Sequence, residues 1–391
     1  MEMKEFLKMH VRSQVRANGL ERPDDKPLHI LCQALIDTDY EAVYSEFNNF
    51  RKVLYRGRLK AFRRPPRHKE DALSQLQALA DDNDALVRQI SGDVVMIARQ
   101  SDLNLLERAN TELFADGTFK YSPHPFKQMY TFHILKDGFY VPLVHFLVFN
   151  KTYQTYKKAI ELLISTCHQE GINLRSKPLS IMVDFEFAMI KAIREQLPAA
   201  QLKGCRFHLH QNWWRKIQNL GLAPTYKDKK SKYGRWLKGI FGVSLLPPRS
   251  VEGIFNKYAS SRTMPHPTPQ ISEFIDYLNA HYVGPDALCP PSMWAGTSAR
   301  LTNNGAEAFH RHFGVLFGYL RANPTVWHFL RNLRIFNVLK DVKLRSFQPE
   351  PAPKTTEAEV TEQLTLHHQH QLTSRALLYK LSKKNQPKTR K

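Results

Sequence analysis

Two aspartates and a glutamate stand where carboxylates can share one task. Asp116 lies just past the apolar start of LFADGTFKYSP, and Asp184 closes the apolar run of LSIMVDFE. Glu307 falls in TNNGAEAFHRHF, where Thr302, Asn303 or Asn304 can cap a helix. In that helix Ala306, Phe309, Phe313 and Leu316 form an apolar stripe, while Glu307, His310 and Arg311 share another face at i, i+3 and i+4. Carboxylates brought close together repel, and burial raises their pKa, unless a cation occupies the site. A hard divalent ion takes such oxygens and keeps waters for substrate phosphates. Two ions can hold the attacking and leaving oxygens of an in-line phosphoryl displacement. A carboxylate beside a His and an Arg suits metal and phosphate held together. Each acid also has a plainer reading. Asp116 before Gly117 can end a strand or form an Asx-turn, Asp184 can cap the helix FAMIKAIREQ, and Glu307 with Arg311 can be an exposed pair.

The elements that would carry these residues are legible from periodicity. LFADGTFKYSP reads as a strand, QMYTFHIL alternates apolar and polar residues, Lys136-Asp137-Gly138 is a hairpin signal, and FYVPLVHFLVFN reads as a strand buried on both faces. TYQTYKKAIELLISTCHQEG has helical periodicity and stops at Gly171. LSIMVDFE is then a strand, FAMIKAIREQLP a helix, QLKGCRF a short strand and HLHQNWWRKIQNL a helix. The order β-β-β-α-β-α-β implies a mixed sheet flanked by helices, an α/β arrangement of the ribonuclease H-like kind. In that arrangement the first and fourth strands are neighbours, so Asp116 and Asp184 would lie side by side.

At this point the chain resembles a known family, the Mutator-like element (MULE) transposases, which are DDE transposases with a ribonuclease H-like core. Four blocks carry the resemblance in order: LFADGTFKYSP, IMVDFEFAMIKAI, GCRFHLHQNWWRKI and TNNGAEAFHRHF. The resemblance covers about residues 100 to 345. The resemblance implies Asp116, Asp184 and Glu307 as catalytic metal ligands, Mg²⁺ or Mn²⁺ as the cofactor with two ions, and DNA as the substrate, namely transposon terminal inverted repeats and target DNA. It implies a homo-oligomer as well. Cys205 and His208 match the family's (C/D)xxH motif. Two such ligands do not fill the tetrahedral shell of zinc even if His210 were added, so a supporting role at the edge of the site is expected and zinc is not. His310 and Arg311 are expected as further supporting residues. Glu186 is one more carboxylate near Asp184, and the family pattern does not require it.

Composition agrees with a polyanionic partner. The 391 residues hold 57 Lys and Arg against 36 Asp and Glu, a formal net charge of +21, which favours nucleic acid first. Four scattered cysteines argue against a disulfide framework and against a Cys-rich zinc module. The charged N-terminus shows no secretory signal, and the apolar stretch at about 139–150 is too short to span a bilayer. A nuclear protein that is not membrane-bound is expected. Candidate DNA contacts are Arg56, Arg58, Arg63 and Arg64 in the basic run 51–69, Lys229, Lys230, Lys232 and Arg235 in YKDKKSKYGRWLK, and the C-terminal KLSKKNQPKTRK. Trp213, Trp214, Trp236 and Trp294 read first as core and second as base-stacking groups.

The expected organisation is a helical basic N-terminal region at 1–105, the first part of the core at 106–219 and a mostly helical insertion at 220–300. The last catalytic helix and the one after it follow at 301–346. A basic tail expected to be disordered occupies 347–391, apart from a short helix around 374–381. Residues 1–100 hold one cysteine, Cys32, and so offer no ligand set for the N-terminal zinc module that related transposases commonly carry. Two functions follow: a MULE-type transposase that cleaves and joins DNA at element ends, or a domesticated DNA-binding or regulatory protein that keeps the fold without the chemistry.

Overall fold

The computed structural model describes residues 3–21, 27–38, 44–61, 64–82, 86–107, 112–136, 139–260, 266–296, 324–346, 363, 365–367 and 372–383. It is an α/β structure built on a seven-stranded mixed sheet, an arrangement compatible with a ribonuclease H-like fold. The strands are β1 (Val87–Ser91), β2 (Val94–Ala98), β3 (Glu112–Thr118), β4 (Gln128–Lys136), β5 (Phe139–Val148), β6 (Ser180–Val183) and β7 (Gln201–Gly204), in the order β1-β2-β5-β4-β3-β6-β7. The pairs on the β1 side of β3 are antiparallel, whereas β3–β6 and β6–β7 are parallel.

The N-terminal region departs from the all-helical expectation. Helices α1 (Met3–Glu21), α2 (Pro27–Thr38) and α3 (Tyr44–Ala61) pack around Val11, Val15, Ile30, Leu31, Phe50 and Leu54; α4 (Lys69–Asp81) follows, and the short α5 (Gln100–Leu103) comes after β2. Within the expected helical region α4 stops at Asp81, and Val87–Ser91 form β1. Gly92, at φ 57°, turns the chain into β2. VVMIA is apolar at every position and every residue of it is buried. Such a short continuous run carries no period, so only its place inside the sheet makes it a strand. The sheet therefore starts about twenty residues before the expected core boundary.

Alternation along the strands divides the core between the two faces. Val94, Met96, Phe146, Tyr130, Phe132, Leu113, Ala115, Ile181 and Val183 join one cluster with α6 (Tyr153–Gln169) and α7 (Phe187–Gln196). Val95, Ile97, Leu147 and Met129 face the other way. They meet Ala72 and Leu76 of α4 and Val326, Phe329, Leu330 and Leu333 of a later helix at Val326–Ser346.

Beyond β7 runs α8 (Arg206–Asn219). Helices α9 (Ala223–Lys227), α10 (Lys232–Ile240), α11 (Pro248–Ala259), α12 (Pro269–Leu278) and α13 (Pro291–Trp294) follow, with a π-helical turn at Asn279–Val283. The Val326–Ser346 helix is α14, and Ser374–Lys383 is α15. Leu377, Leu378 and Leu381 of α15 are buried in the same core as α10 and α11, so this part of the tail packs as a helix. The rest of the tail, apart from 363, 365–367 and 372–373, and the segment at 297–323 lie outside the described residues.

An ion-pair network fastens α14 to the sheet. Arg99 makes paired bonds to Asp102 (2.9 Å each) and to Asp341 (2.7 Å each). Lys340, almost fully buried, meets Asp102 at 2.7 Å and the Pro142 carbonyl at 3.1 Å. The Arg99 hydrogen bonds hold the Asp341 carboxyl below its ordinary value of 3.8. In the window just under that value the unfolded chain binds the proton more readily, so stability falls as the pH drops through it. Asp341→Asn should reduce stability at neutral pH and flatten this acid-side loss, as read from urea midpoints along a pH series. An acid limb as steep as in the wild type would contradict the assignment.

Candidate active site

The β3–β6 register builds the site. Phe114 pairs with Met182 in the parallel ladder, and two residues further along each strand come Asp116 and Asp184. The two carboxylates thus occupy equivalent places at the C-terminal ends of neighbouring strands. Phe114, Met182 and Cys205 form a small dry cluster beneath them. Asp116 is almost fully buried within β3, which continues to Thr118, so it neither ends the strand nor serves as a turn residue. Asp184 accepts the Glu186 backbone N–H at 3.3 Å just before α7 begins, and the residue at the N-cap of that helix is Glu186.

The same sheet edge gathers four more elements. Gln128 at the start of β4 pairs with Val148 at the end of β5, so Lys151 and the first turn of α6 arrive there too. Cys205 is the N-cap of α8 and puts His208 in its first turn. His208 Nε2 lies 3.7 Å from Asp116 Oδ1. Cys205 packs against Phe114 and Met182. His210 turns the other way, to the Ser244 hydroxyl at 2.9 Å.

Gly117 explains a long reach across the site. It sits opposite Tyr130 in the β3–β4 ladder, and a Cβ there would come within 2.0 Å of the Gln128 amide and 3.0 Å of the Tyr130 ring. Without one, Tyr130 passes over the strand and donates its hydroxyl to Asp184 Oδ1 at 3.2 Å. The Tyr156 hydroxyl is shared between Gln128, at 2.7 Å, and Glu186, which also pairs with Lys151. Tyr130, Tyr156, Gln128 and Lys151 were not among the sequence-derived candidates. Strand alternation places Tyr130 on a face but does not give the hairpin register that sets it opposite a glycine.

Electrostatics follow from this crowding. Burial raises the Asp184 pKa, and the Asp116 charge adds to that, while His208, the Tyr130 hydrogen bond and Lys151 pull it down; the balance is about 6. Burial disfavours charge on His208, but Cys205, Asp116 and Asp184 outweigh it and raise that pKa to about 9. The imidazole is therefore a cation at neutral pH beside two acids. Two hard oxygen donors on adjacent strands, one with a proton affinity raised by burial and by its neighbour, are groups a divalent cation would relieve. Among the described residues no group of three or more His, Cys, Asp or Glu side chains is arranged to hold a metal ion, so the pair alone is not a full ligand set.

The chain on either side of 297–323 is fixed close to this edge. The Gly296 carbonyl accepts from the Arg206 guanidinium, two residues before His208. Pro324 accepts the His124 backbone N–H at 2.8 Å, on the loop that leaves β3. Glu307, His310 and Arg311 lie between these anchors and outside the described residues.

The other candidates are spread over separate elements. Arg56 is exposed on α3 and Arg64 is exposed just past it, while the side chains of Arg58 and Arg63 lie outside the described residues. Lys229, Lys230 and Lys232 are exposed at the start of α10, and Arg235 folds back on the carbonyls of Lys229 and Lys230. Trp213, Trp236 and Trp294 are buried, and the half-buried Trp214 packs at a tilt against Tyr226, so the four indoles serve in packing. No helix among the described residues is long and apolar enough to cross a membrane.

Removing the phenol that stabilises the Asp184 anion should show in its titration. Tyr130→Phe should move the Asp184 carboxyl upward from about 6, followed by carbon NMR of the side chain in metal-free protein. A pKa that stayed or fell would mean that the hydroxyl does not bear on Asp184.

Comparison with known proteins agrees with this geometry. No curated protein matches the chain. Residues 113–212, from the start of β3 into α8, match the MULE transposase domain, and a transposase domain implies a DNA substrate. The matched stretch contains Asp116, Asp184, Cys205 and His208, so over this part of its length the chain carries a domain that matches the MULE transposases.

Proposed function

We propose that the chain is a DDE-type transposase that cleaves DNA strands at element ends and transfers them to a target. The observation that carries this reading is the parallel β3–β6 register, which sets Asp116 and Asp184 side by side at one sheet edge. Glu307, the third acid of the family pattern, is flanked by two anchors at that same edge. Asp116, Asp184 and Glu307 would hold Mg²⁺ or Mn²⁺. When bound, two such ions supply activation of the attacking oxygen and stabilisation of the leaving one.

The protein's own groups prepare this site. Tyr130 orients Asp184 through Oδ1, and the cationic His208 balances Asp116. Lys151, tied to Glu186, puts an ammonium where a substrate phosphate would arrive. His310 and Arg311 are proposed as supporting residues on the Glu307 helix. The ribonuclease H-like core would be interrupted by the helical unit at 220–300. We assign DNA backbone contacts to Arg56, Arg58, Arg63, Arg64, Lys229, Lys230, Lys232 and Arg235, a nuclear location, and action as a homo-oligomer.

Purified protein with Mg²⁺ or Mn²⁺ should nick or join plasmid and oligonucleotide DNA. Asp116→Asn, Asp184→Asn and Glu307→Gln should each lower the rate more than about a hundredfold, since even outer-shell changes cost 10–100-fold. Activity that persisted in all three variants would sink the assignment. Salt-dependent DNA binding without turnover would favour a domesticated, non-catalytic role. In the same binding assay Lys229→Ala and Lys230→Ala should weaken affinity evenly across sequences, each lowering the salt slope by about one. An unchanged slope would remove this loop from the DNA path.

A further inference from the structure

Two partly exposed phenylalanine rings lie near the carboxylate pair, each linked to a different acid. Phe119 is 50% exposed on the bend that leaves β3, three residues past Asp116. Phe207 is 41% exposed in the first turn of α8, next to His208, with the two rings 5.4 Å apart. A chain of contacts connects each ring to one acid. The Phe119 ring carries the Lys151 ammonium at 4.8 Å, Lys151 pairs with Glu186, and the Glu186 N–H is bound by Asp184. The Phe207 ring lies against His208, which lies against Asp116.

A single exposed ring needs no explanation. Two rings near one pair of acids, among cations, do. Lys127 and Arg215 are both exposed and near enough to Lys151 to disfavour its charge. Cations meet phosphates, and a phenyl ring offers a flat apolar face. Within a duplex each base is already stacked on both sides, so a ring can add stacking only to a base taken out of the helix. Among the described residues Trp213, Trp236 and Trp294 are buried, Trp214 is half-buried against Tyr226, and the exposed Phe187 ring is stacked on His281, so Phe119 and Phe207 are the rings taken for a stacking role.

We propose that this site takes DNA with the scissile step unpaired, the bases on either side of it stacked on Phe119 and Phe207 and the intervening phosphates met by Lys127, Lys151 and Arg215. The inference rests on the carboxylate pair being the cutting centre, so its test separates binding from cutting.

The full chain is titrated, in chelator, with a duplex and with the same duplex carrying a short unpaired bubble marked by 2-aminopurine. The wild type should prefer the bubble and quench the fluorophore. Phe119→Ala and Phe207→Ala should each lose roughly fivefold or more in bubble affinity, along with the quench. Phe119→Trp and Phe207→Trp should keep both, as should Phe6→Ala, which removes an exposed ring from α1. Equal affinity for both DNAs, or a bubble preference that survives both alanine variants, overturns the proposal. Metal-dependent cutting of both DNAs alike, lost in Asp184→Asn, would overturn it and leave the nuclease reading intact. A ring-dependent bubble preference without cutting would uphold the stacking and sink the nuclease reading instead.

Discussion

The register of two short parallel strands is the constraint on which the rest depends. Phe114 opposite Met182 fixes it, with Leu113 and Ala115 against Ile181 and Val183 on the reverse face. A one-residue slip would send each side chain to the opposite face. It would exchange Asp116 for Gly117 or Ala115 and break the alignment with Tyr130 and His208 together. Burying a large apolar side chain contributes about 1.5–3 kcal/mol, so the apolar residues beneath and behind the acids are enough to hold a pair of carboxylates that repel one another.

The acids are few and the cations around them many. The whole chain is strongly basic, yet at the sheet edge the positive groups are graded by depth. His208 is deepest and touches Asp116, Lys151 is half-buried and tied to Glu186, and Lys127 and Arg215 are exposed. The inner charges offset the repulsion between carboxylates. The outer ones are left to a ligand.

Much of this was legible in the sequence, for physical reasons that also mark the limits. Alternation and turn chemistry located β3, β4 and β5, the short apolar run before Asp184 located β6, and β7 was read from its place between two helical segments. The two aspartates drew attention because each follows an apolar run, although a strand end or a helix cap would have explained either alone. The β1–β2 hairpin stayed hidden, since VVMIA has no period and follows directly on a helical pattern. The tryptophans drew attention by type, but their surroundings, set by distant helices, enclose them. Lys151, Tyr130 and Tyr156 converge only because Gln128 pairs with Val148, and a pairing between separate strands is not written in either one.

Arg206 has a consequence of another kind. The helical unit leaves the sheet at the end of α8 and comes back, at Gly296, to the guanidinium at the start of the same helix. Trp213 and Trp294 meet edge to face close to that return. Departure and return points are thus fastened to one rigid rod, and the closure cost of the chain between them rises only with the logarithm of its length, about 0.6 kcal/mol for a doubling. The unit can lengthen, shorten or be exchanged over evolutionary time while the spacing of the acids stays the same. Descent can therefore rework the surface of such a protein far faster than its centre.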